Sequence, residues 1–400
     1  MFMRVKLLKK IILALPAYSK EVIFLLLFYL PARLVYSKRN IWLISERGDD
    51  ARDNSMHLFR YIREYHPAIN LYYVIDRKSA DLNNIIDFGN VVYRKTFKHR
   101  LFFYASKVLI STHLMGGYTT NQSFYMHFNK MKWFRFNRKV VSIKHGITKD
   151  DLPILYKENS KLDLLISGAK PEYEYFLKNY HYSEKEVKYT GFARFDNLFG
   201  KNCSTKNIIL VMPTWRFYLS DLNDEDFQKT TFYNKWVSFL NNNDLCSFLE
   251  NNNLFLYFYP HYELQKYLRL FYSKSKMIRF CSKEEYDVQQ LLIDSKILIT
   301  DYSSVFFDFA YMEKPVVFYQ FDEDIYFKKH YKKGYFDYNK SFGLKTDDEL
   351  AVVNEIVNLS KSYYKVPHKY VSIIDSYFEK RDNHNCERIT NEIIKITEVL

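Results

Sequence analysis

The sequence is poor in cysteine, glycine and proline, with 4, 10 and 9 of these residues among 400. The cysteines are scattered and form no CxxC pair. This argues against a disulfide framework and a cysteine zinc site, and it is typical of a protein in a reducing cytoplasm. The small numbers of glycine and proline leave little room for disordered linkers. A hydrophobic content of 48% over this length favours two ordinary domain cores.

Several motifs of nucleotide and metal chemistry are also missing. The sequence has no GxGxxG and no GxxxxGK(S/T), so we expect neither a nicotinamide site nor a P-loop NTPase site. It has no HExxH, no Cys/His cluster and no DxD pair beside small residues. We therefore predict that the protein needs no metal ion and no cofactor.

What the sequence does have is positive charge. The net charge of +13 implies an anionic partner, which can be a nucleic acid, a phosphorylated substrate or a membrane surface. The excess is concentrated in residues 1–40, where eight lysines and arginines stand against one acid, Glu21. No recognition-helix or RNA-binding motif is present, so we predict that nucleic acid is not a partner.

Residues 1–38 combine this charge with apolar residues. Apolar positions recur at helical spacing from Val5 to Leu15, and the run Val22–Leu30 is shorter than the roughly 20 residues that span a bilayer. We predict an amphipathic segment that attaches peripherally to the cytoplasmic face of the cell membrane, held by apolar burial and anionic lipid. Two alternatives are a secretory signal peptide, which Pro16 would interrupt, and a helix that packs on the protein.

Short apolar runs alternate with amphipathic stretches from residue 40 to the end, which is the pattern of α/β units. The predicted strands are Ile41–Ile44, Leu71–Ile75, Val91–Tyr93, Val108–Ser111, Val140–Ile143, Leu164–Ser167, Ile208–Met212, Leu254–Tyr259, Met277–Phe280, Ile297–Thr300 and Val316–Tyr319. The predicted helices include Asn54–Tyr65, Pro171–Asn179, Asn234–Asn251 and Asp287–Ser295.

The region Tyr189–Lys206 lacks a long apolar run and marks a candidate domain boundary. We predict two doubly wound, Rossmann-like domains, residues 39–195 and 196–381, which face each other across a cleft. This α/β arrangement is called GT-B among nucleotide-sugar glycosyltransferases. The first domain would take the acceptor and the second the donor. A C-terminal helix in residues 382–400 could cross back onto the first domain.

Ligands of parallel sheets bind beyond the carboxyl ends of the strands. His145 and His261 follow the fifth and eighth predicted strands directly, and each stands beside glycine or proline. Imidazole is the side chain best suited to proton transfer near neutral pH. We predict that His145 is a catalytic base and that His261 assists charge on the leaving phosphate, although either could be a structural histidine. His113 also follows a strand, but it stands beside Leu114 and ranks lower.

A second set of polar residues is predicted to bind a donor and its phosphates. The strand Ile297–Thr300 ends at hydroxyl and carboxyl side chains where a helix begins, and such a helix start suits phosphate. The predicted residues are Arg194, Thr214, Arg216, Thr300, Asp301, Ser303, Ser304 and Asp308.

Other roles stay open for several of these residues. Ser303 or Asp301 could simply cap the helix, and Asp301 and Asp308 could bind ribose hydroxyls instead. Arg194 and Arg216 offer forked donors to phosphate, but each could form a salt bridge at the domain junction.

Polar residues also follow the first and fifth predicted strands, and we assign them to the acceptor side of the cleft. These residues are Arg52, Asp53, Asn54, Gly146, Asp150 and Asp151.

Six segments together resemble the CDP-glycerol glycerophosphotransferases, the teichoic-acid primases and polymerases with related capsule enzymes. They are Gly48–Ser55 (GDDARDNS), Lys144–Pro153 (KHGITKDDLP), Thr190–Leu198 (TGFARFDNL), Met212–Arg216 (MPTWR), Tyr259–His261 (YPH) and Thr300–Phe309 (TDYSSVFFDF). The similarity extends over most of the chain, and the order of the motifs makes it specific.

The resemblance implies a GT-B fold, monotopic association with the inner membrane face, and transfer of a polyol phosphate from CDP-glycerol or CDP-ribitol. The acceptor would be a hydroxyl of a lipid-linked or growing cell-wall or capsule polymer, and CMP would leave. His145 and His261 match the family's two catalytic histidines, and Thr300, Ser303 and Ser304 match its phosphate-holding part.

Two points stay open from the sequence. The chain lacks the long N-terminal extension of some polymerases, so it could add one unit or many. The alternative enzyme is a GT-B glycosyltransferase that uses a sugar nucleotide, including a CMP-linked one.

Overall fold

The computed structural model describes residues 2–114, 116–128, 137–202 and 205–398, with the backbone alone for residues 2–17 and 126–128. Its thirteen described strands form two parallel sheets. The first sheet has the order β3-β2-β1-β4-β5-β6-β7, and the second has the order β10-β9-β8-β11-β12-β13. The order of each sheet reverses at one point, between β1 and β4 or between β8 and β11. The carboxyl ends of the strands at such a point form a ligand crevice.

The bounds of the strands lie close to the predicted ones. The strands of the first sheet are β1 Trp42–Ser45, β2 Leu71–Ile75, β3 Val91–Tyr93, β4 Val108–Ser111, β5 Lys139–Ser142, β6 Leu164–Ser167 and β7 Val187–Tyr189. Those of the second are β8 Ile208–Met212, β9 Phe255–Phe258, β10 Ile278–Phe280, β11 Ile297–Thr300, β12 Val316–Tyr319 and β13 Gly343–Thr346. Strands β7 and β13 were not predicted from the sequence. Both are edge strands whose polar residues are half-buried, so they have no continuous apolar run.

Helices cover both faces of the sheets. They are α1 Phe2–Tyr36, α2 Asn54–Tyr65, α3 Phe97–Ala105, α4 Gln122–Phe128, α5 Lys157–Ser160, α6 Lys170–Asn179, α7 Phe195–Leu198, α8 Asp224–Gln228, α9 Thr231–Leu240, α10 Asn243–Asn251, α11 Val288–Asp294, α12 Val305–Tyr311, α13 Glu323–Lys329, α14 Glu349–Lys361, α15 His368–Tyr377 and α16 Asn385–Glu398. The single helix predicted over Asn234–Asn251 is wrong. α9 ends at Leu240, and the Asn242 side chain accepts the Leu245 N–H to begin α10.

The inner strands β1, β4, β8, β11 and β12 are buried on both faces, which is why they appear as continuous apolar runs in the sequence. In β8, Ile209 packs into a core of the second domain alone, whereas its neighbour Leu210 packs into a larger core. That larger core also contains Ile44 of the first sheet and Ile389 of α16. The two domains are therefore joined by shared apolar packing.

The C-terminal helix α16 packs on the first domain, where it contacts α2, α7 and strands β5 and β6. The backbone N–H groups of Asn385 and Cys386 both donate to the Asp196 carboxylate, at 2.7 and 2.9 Å. A carboxylate at a helix N-terminus satisfies donors that lack partners within the helix. The chain thus leaves the second domain and ends on the first.

The N-terminal helix α1 runs unbroken through Pro16 and Pro31 and packs on α3. Ala32 is buried in this contact, while Leu26 and Leu34 on the opposite side are 74% and 75% exposed. Apolar residues thus occupy both faces, so the amphipathic arrangement predicted for residues 1–38 is not seen in residues 18–36. The pattern from Val5 to Leu15 lies outside the described side chains. Within the described part of the chain, no helix is long and apolar enough to cross a membrane.

Candidate active site

The carboxyl ends of both sheets open into a cleft that contains two adjoining cavities. One has a volume of about 290 Å³ and the other about 570 Å³. Each is lined by residues of both domains, and His145, Arg194, Val305 and Asp308 line both cavities. A ligand in one cavity would therefore lie next to a ligand in the other.

The smaller cavity brings the two predicted catalytic histidines together. His145, just after β5, and His261, just after β9, both line it, with Ser303 and Ser304 before α12. Gly146 faces the serines closely, because a Cβ placed on it would lie 3.0 Å from Ser304 Oγ. The loop after β5 can thus approach the serine turn of the other domain.

His145 is accessible in the cleft, and its ring is neutral at neutral pH. Loss of solvent in the cleft, then the positive charges of Lys144 and Arg47, lower its pKa to about 4. A hydrogen bond with the Thr112 backbone opposes this shift, so one ring N–H donates to that carbonyl. The other ring nitrogen then keeps a free lone pair, which is the form that a general base needs.

His261 carries its ring proton so that it can act as a hydrogen-bond donor in the cavity. The Glu263 backbone N–H donates to His261 Nδ1 at 3.3 Å, so the proton of the neutral ring is on Nε2. Its ring stacks on Trp215 with centroids 6.0 Å apart. Loss of solvent, then the charge of Arg47, lowers its pKa to about 3. His261 therefore presents an N–H donor, whereas His145 presents an acceptor.

The predicted phosphate-binding residues fall into two groups. The first group lines the smaller cavity and consists of Arg194, Thr214, Ser303, Ser304 and Asp308. The Thr214 hydroxyl is buried and has no hydrogen-bond partner among the described residues. An unsatisfied buried hydroxyl is costly, so this atom is a candidate for ligand contact.

The second group lies behind the cavity surface. Thr300 is fully buried and donates its hydroxyl to the Met212 carbonyl. Arg216 is also fully buried, and it pairs with Asp301 and Asp322 at 2.9 Å each. Asp301 accepts the Thr214 backbone N–H as well, so this ion-pair network positions the loop that contains Thr214.

Arg194 connects the two domains. Its guanidinium donates to both oxygens of Asp308, at 2.5 and 2.9 Å, and to Asp53 at 2.9 Å. It also donates to the His145 backbone carbonyl at 2.9 Å. Arg194 thus forms a salt bridge at the domain junction, the alternative left open for it above. Arg216 also forms salt bridges, but both of its partners lie in the second domain, away from the junction.

The residues predicted for the acceptor side are divided between the two cavities and the protein interior behind them. Gly146 and Asp150 line the smaller cavity, and Arg52 and Asp53 line the larger one. Asp151 and Asn54 line neither. Asp151 accepts from the Tyr156 hydroxyl and pairs with Lys332 of the second domain. Asn54 is fully buried and donates to the Lys144 carbonyl.

Two further residues lie at the site, Arg47, which was not predicted from the sequence, and His113, which ranked low. His113 stacks under His145 with centroids 4.9 Å and planes 7° apart, and Arg47 donates to its Nε2 at 3.3 Å. Both residues lie two positions after neighbouring strands, β1 and β4, where the order of the sheet reverses. The strand order was the missing signal, because it makes these two strand ends neighbours.

Among the described residues, no group of three or more His, Cys, Asp or Glu side chains could hold a metal ion. The independence from metals and cofactors stays a prediction.

Comparison with known proteins identifies the family. A family model described as CDP-Glycerol:Poly(glycerophosphate) glycerophosphotransferase matches residues 26–395. The minor teichoic acid biosynthesis protein GgaB of Bacillus subtilis is 31% identical over 376 residues, which cover 90% of this chain but 40% of GgaB. The teichoic acid poly(glycerol phosphate) polymerase of Bacillus spizizenii is 26% identical, with 93% and 96% of the two chains covered. The chain thus spans less than half of GgaB and nearly all of the second relative.

Solved structures agree on the fold. The wall teichoic acid polymerase TagF, in a variant soaked with CDPG, superposes with a TM-score of 0.70 at 17% identity, covering 96% of each chain. A UDP-N-acetylglucosamine 2-epimerase from Listeria monocytogenes, described as putative, gives 0.52 at 12% identity, with 88% and 95% covered. The two-domain α/β fold is therefore that of TagF and, more distantly, of GT-B-like epimerases. By the family match over residues 26–395, this chain belongs to the CDP-glycerol:poly(glycerophosphate) glycerophosphotransferase family, whose members are transferases of teichoic acid biosynthesis.

Proposed function

We propose that the protein transfers glycerol phosphate or ribitol phosphate from the corresponding CDP-polyol to a hydroxyl of a lipid-linked or growing wall polymer. The observation that carries this proposal is the convergence of His145, His261, Ser303 and Thr214 on one cavity between the domains. An acceptor and a phosphorylated donor must meet at such a point for transfer to occur.

The proposed step is a single displacement at phosphorus. The acceptor oxygen attacks the phosphorus that bears the polyol, and a new O–P bond forms. The P–O bond to CMP breaks, and CMP leaves with the bonding electrons. The proton of the acceptor hydroxyl passes to His145, whose free ring nitrogen is unprotonated because its pKa is lowered to about 4.

Donors around the phosphates would stabilise the charge that develops during this step. His261 can donate from Nε2, since its Nδ1 accepts from the backbone. Thr214, Ser303 and Ser304 offer hydroxyls on the same side of the cavity. These groups belong to the second domain and His145 to the first, so substrates bound in this cavity would lie between the base and the phosphate donors.

A panel of activated donors tests this function. We expect purified protein with a teichoic acid acceptor to release CMP from CDP-glycerol or CDP-ribitol, and the acceptor to gain the mass of one or more polyol phosphates. Turnover with hexose nucleotides and none with CDP-polyols would contradict the proposal and favour a glycosyltransferase.

We further propose that no metal ion or cofactor takes part in the transfer. EDTA should therefore not stop turnover, and a loss of activity that Mg²⁺ restores would contradict this proposal.

We also propose that α1 attaches the protein to the cytoplasmic face of the cell membrane. Its side away from α3 exposes Leu26, Leu30 and Leu34, which are 61–75% exposed. The N-terminal 40 residues add eight basic residues, which suits anionic lipid. Apolar contact and charge together give stable peripheral binding.

Substitution of Leu26, Leu30 and Leu34 by glutamine should weaken binding to phosphatidylglycerol vesicles about 100-fold, because each leucine contributes about 1 kcal/mol or more. Glutamine preserves helix propensity, and the packed side of α1 stays intact. Deleting residues 1–36 would instead remove Ala32 from the core. The matched control replaces Ile86, Ile154 and Leu350, also exposed, by glutamine and should retain vesicle binding. Equal binding by both triple variants would contradict the proposal.

A further inference from the structure

Five cationic side chains line the two cavities of the cleft, and four of them face a carboxylate. The pairs are Arg52 with Asp81, Lys149 with Asp150, Arg194 with Asp308, and Lys283 with Glu284. The fifth cation is Arg47, which lines the larger cavity beside His145. Among the described residues its guanidinium makes no direct ion pair, although its charge acts on the nearby Asp50 carboxyl and opposes the rise in the pKa of that group. Its one side-chain hydrogen bond is made by Nε, so within the described part of the chain neither terminal nitrogen has a partner. An exposed guanidinium with free donors in a substrate cleft is suited to an anionic ligand.

The position of Arg47 is nevertheless fixed. Its Nε donates to His113 Nε2 at 3.3 Å, and its guanidinium carbon lies 4.7 Å from the centre of the Tyr262 ring. Its backbone N–H donates to Asp50 at 2.7 Å. The following Gly48 has a φ of +113°, which only glycine adopts freely, and this turns the chain out of β1. Arg47 is thus held between a histidine of the first domain and a tyrosine next to His261.

His113 can accept the hydrogen bond from Arg47 only as one tautomer of its neutral ring. A guanidinium has donors and no acceptor, so His113 Nε2 must be the unprotonated nitrogen. The proton of His113 is then on Nδ1, which lies 2.8 Å from the Thr112 hydroxyl. Because His113 also stacks on His145, the charge of Arg47 is placed one ring away from the proposed base.

We propose that Arg47 binds the diphosphate of the donor through its two free terminal nitrogens and stabilises the transition state of transfer. This deepens the function proposed above and rests on it. Arg194 and Arg216 are engaged in buried ion pairs, so the arginine charge that is left available to the donor is that of Arg47. Its location on the first domain means that the donor is held from both sides of the cleft, with the Ser303 turn on the other side.

Comparison of Arg47→Ala with Arg77→Ala tests this proposal. Arg77 is an exposed arginine whose guanidinium lies 4.8 Å from the centre of the Tyr93 ring, and it lines neither cavity. The two substitutions therefore remove the same charge and the same kind of cation–π contact. We expect Arg47→Ala to lower kcat/KM for CMP release about 10²- to 10³-fold. Arg77→Ala should stay within about twofold of the unchanged protein.

A binding series separates charge recognition from a structural effect. Arg47→Ala should bind CDP at least tenfold more weakly, yet bind uncharged cytidine as well as the unchanged protein does. Millimolar guanidinium should restore part of the lost turnover in Arg47→Ala only. Unaltered CDP affinity and kcat/KM in Arg47→Ala, or equal loss of CDP and cytidine binding, would overturn the proposal. The function itself fails instead if the unchanged protein releases no CMP from any CDP-polyol.

Discussion

Replacement of His145 by alanine is expected to lower kcat for CMP release by about 10²- to 10⁴-fold, the contribution of a general base. Removal of the His145 ring breaks no buried ion pair. Its charged neighbours keep their own partners, Arg194 with Asp308 and Lys144 with Glu172. The fold should therefore survive, and circular dichroism and the melting temperature should stay close to those of the unchanged protein.

His384→Ala is the matched control, because His384 is 62% exposed and lies outside both cavities. It should keep full turnover. Near-normal activity of His145→Ala would remove His145 from the mechanism. A loss of activity together with a fall in melting temperature would mean that the ring supports the loop after β5 instead of acting on the substrate.

The pH profile adds an independent check on His145. A base works only when unprotonated, and the pKa of His145 in the free protein is lowered to about 4 by loss of solvent and by Lys144 and Arg47. The ring therefore stays neutral as the pH falls from 7 to 5, and kcat/KM should not decline there. An inflection near pH 6.5, where an ordinary imidazole titrates, would contradict the lowered pKa.

The second large effect concerns stability. Arg216→Leu should lower the free energy of unfolding of the second domain by about 3–5 kcal/mol, because it leaves Asp301 and Asp322 buried without a counter-ion. All three side chains are at most 4% exposed. At about 2–4 °C per kcal/mol, the melting temperature should fall by roughly 6–20 °C.

Arg269→Leu provides the matched control in the same domain. Its partner is Asp224, and the two side chains are 62% and 45% exposed, so removal of this pair should cost at most about 1 kcal/mol. Thermal unfolding followed by circular dichroism measures both variants. If Arg216→Leu keeps its melting temperature and loses only donor affinity, the guanidinium contacts the donor as the sequence analysis predicted.

The parts of the fold that the sequence predicted well share one physical cause. Strands at the centre of a parallel sheet are buried on both faces, so β8 and β11 appear as unbroken apolar runs with sharp ends. The edge strands β7 and β13 have one open side and carry Lys188 and Lys345, so no such run marks them.

The residues of the site also fall into those that the sequence could predict and those that it could not. His145 and His261 were predictable because each comes shortly after an inner strand of its sheet. The carboxyl ends of parallel strands lie at the cleft, so the position of a residue just after such a strand is sufficient to predict its location. The partners of Arg194 were not predictable, because Asp308 lies 114 positions away and nothing local links the two. Arg47 and His113 likewise meet only through the order of β1 and β4 in the sheet.

We propose that two imidazoles from opposite sheets act on one transfer step in one cavity, His145 on the acceptor hydroxyl and His261 on the donor phosphates. The most direct measurement is a CDP titration followed by NMR of ¹⁵N-labelled histidine side chains. We predict that the His145 and His261 resonances shift with the same half-saturation concentration while His384 does not respond, and that the negative charge of bound CDP raises the pKa of both rings. A shift of only one of these histidines, or separate half-saturation concentrations for the two, would contradict the account.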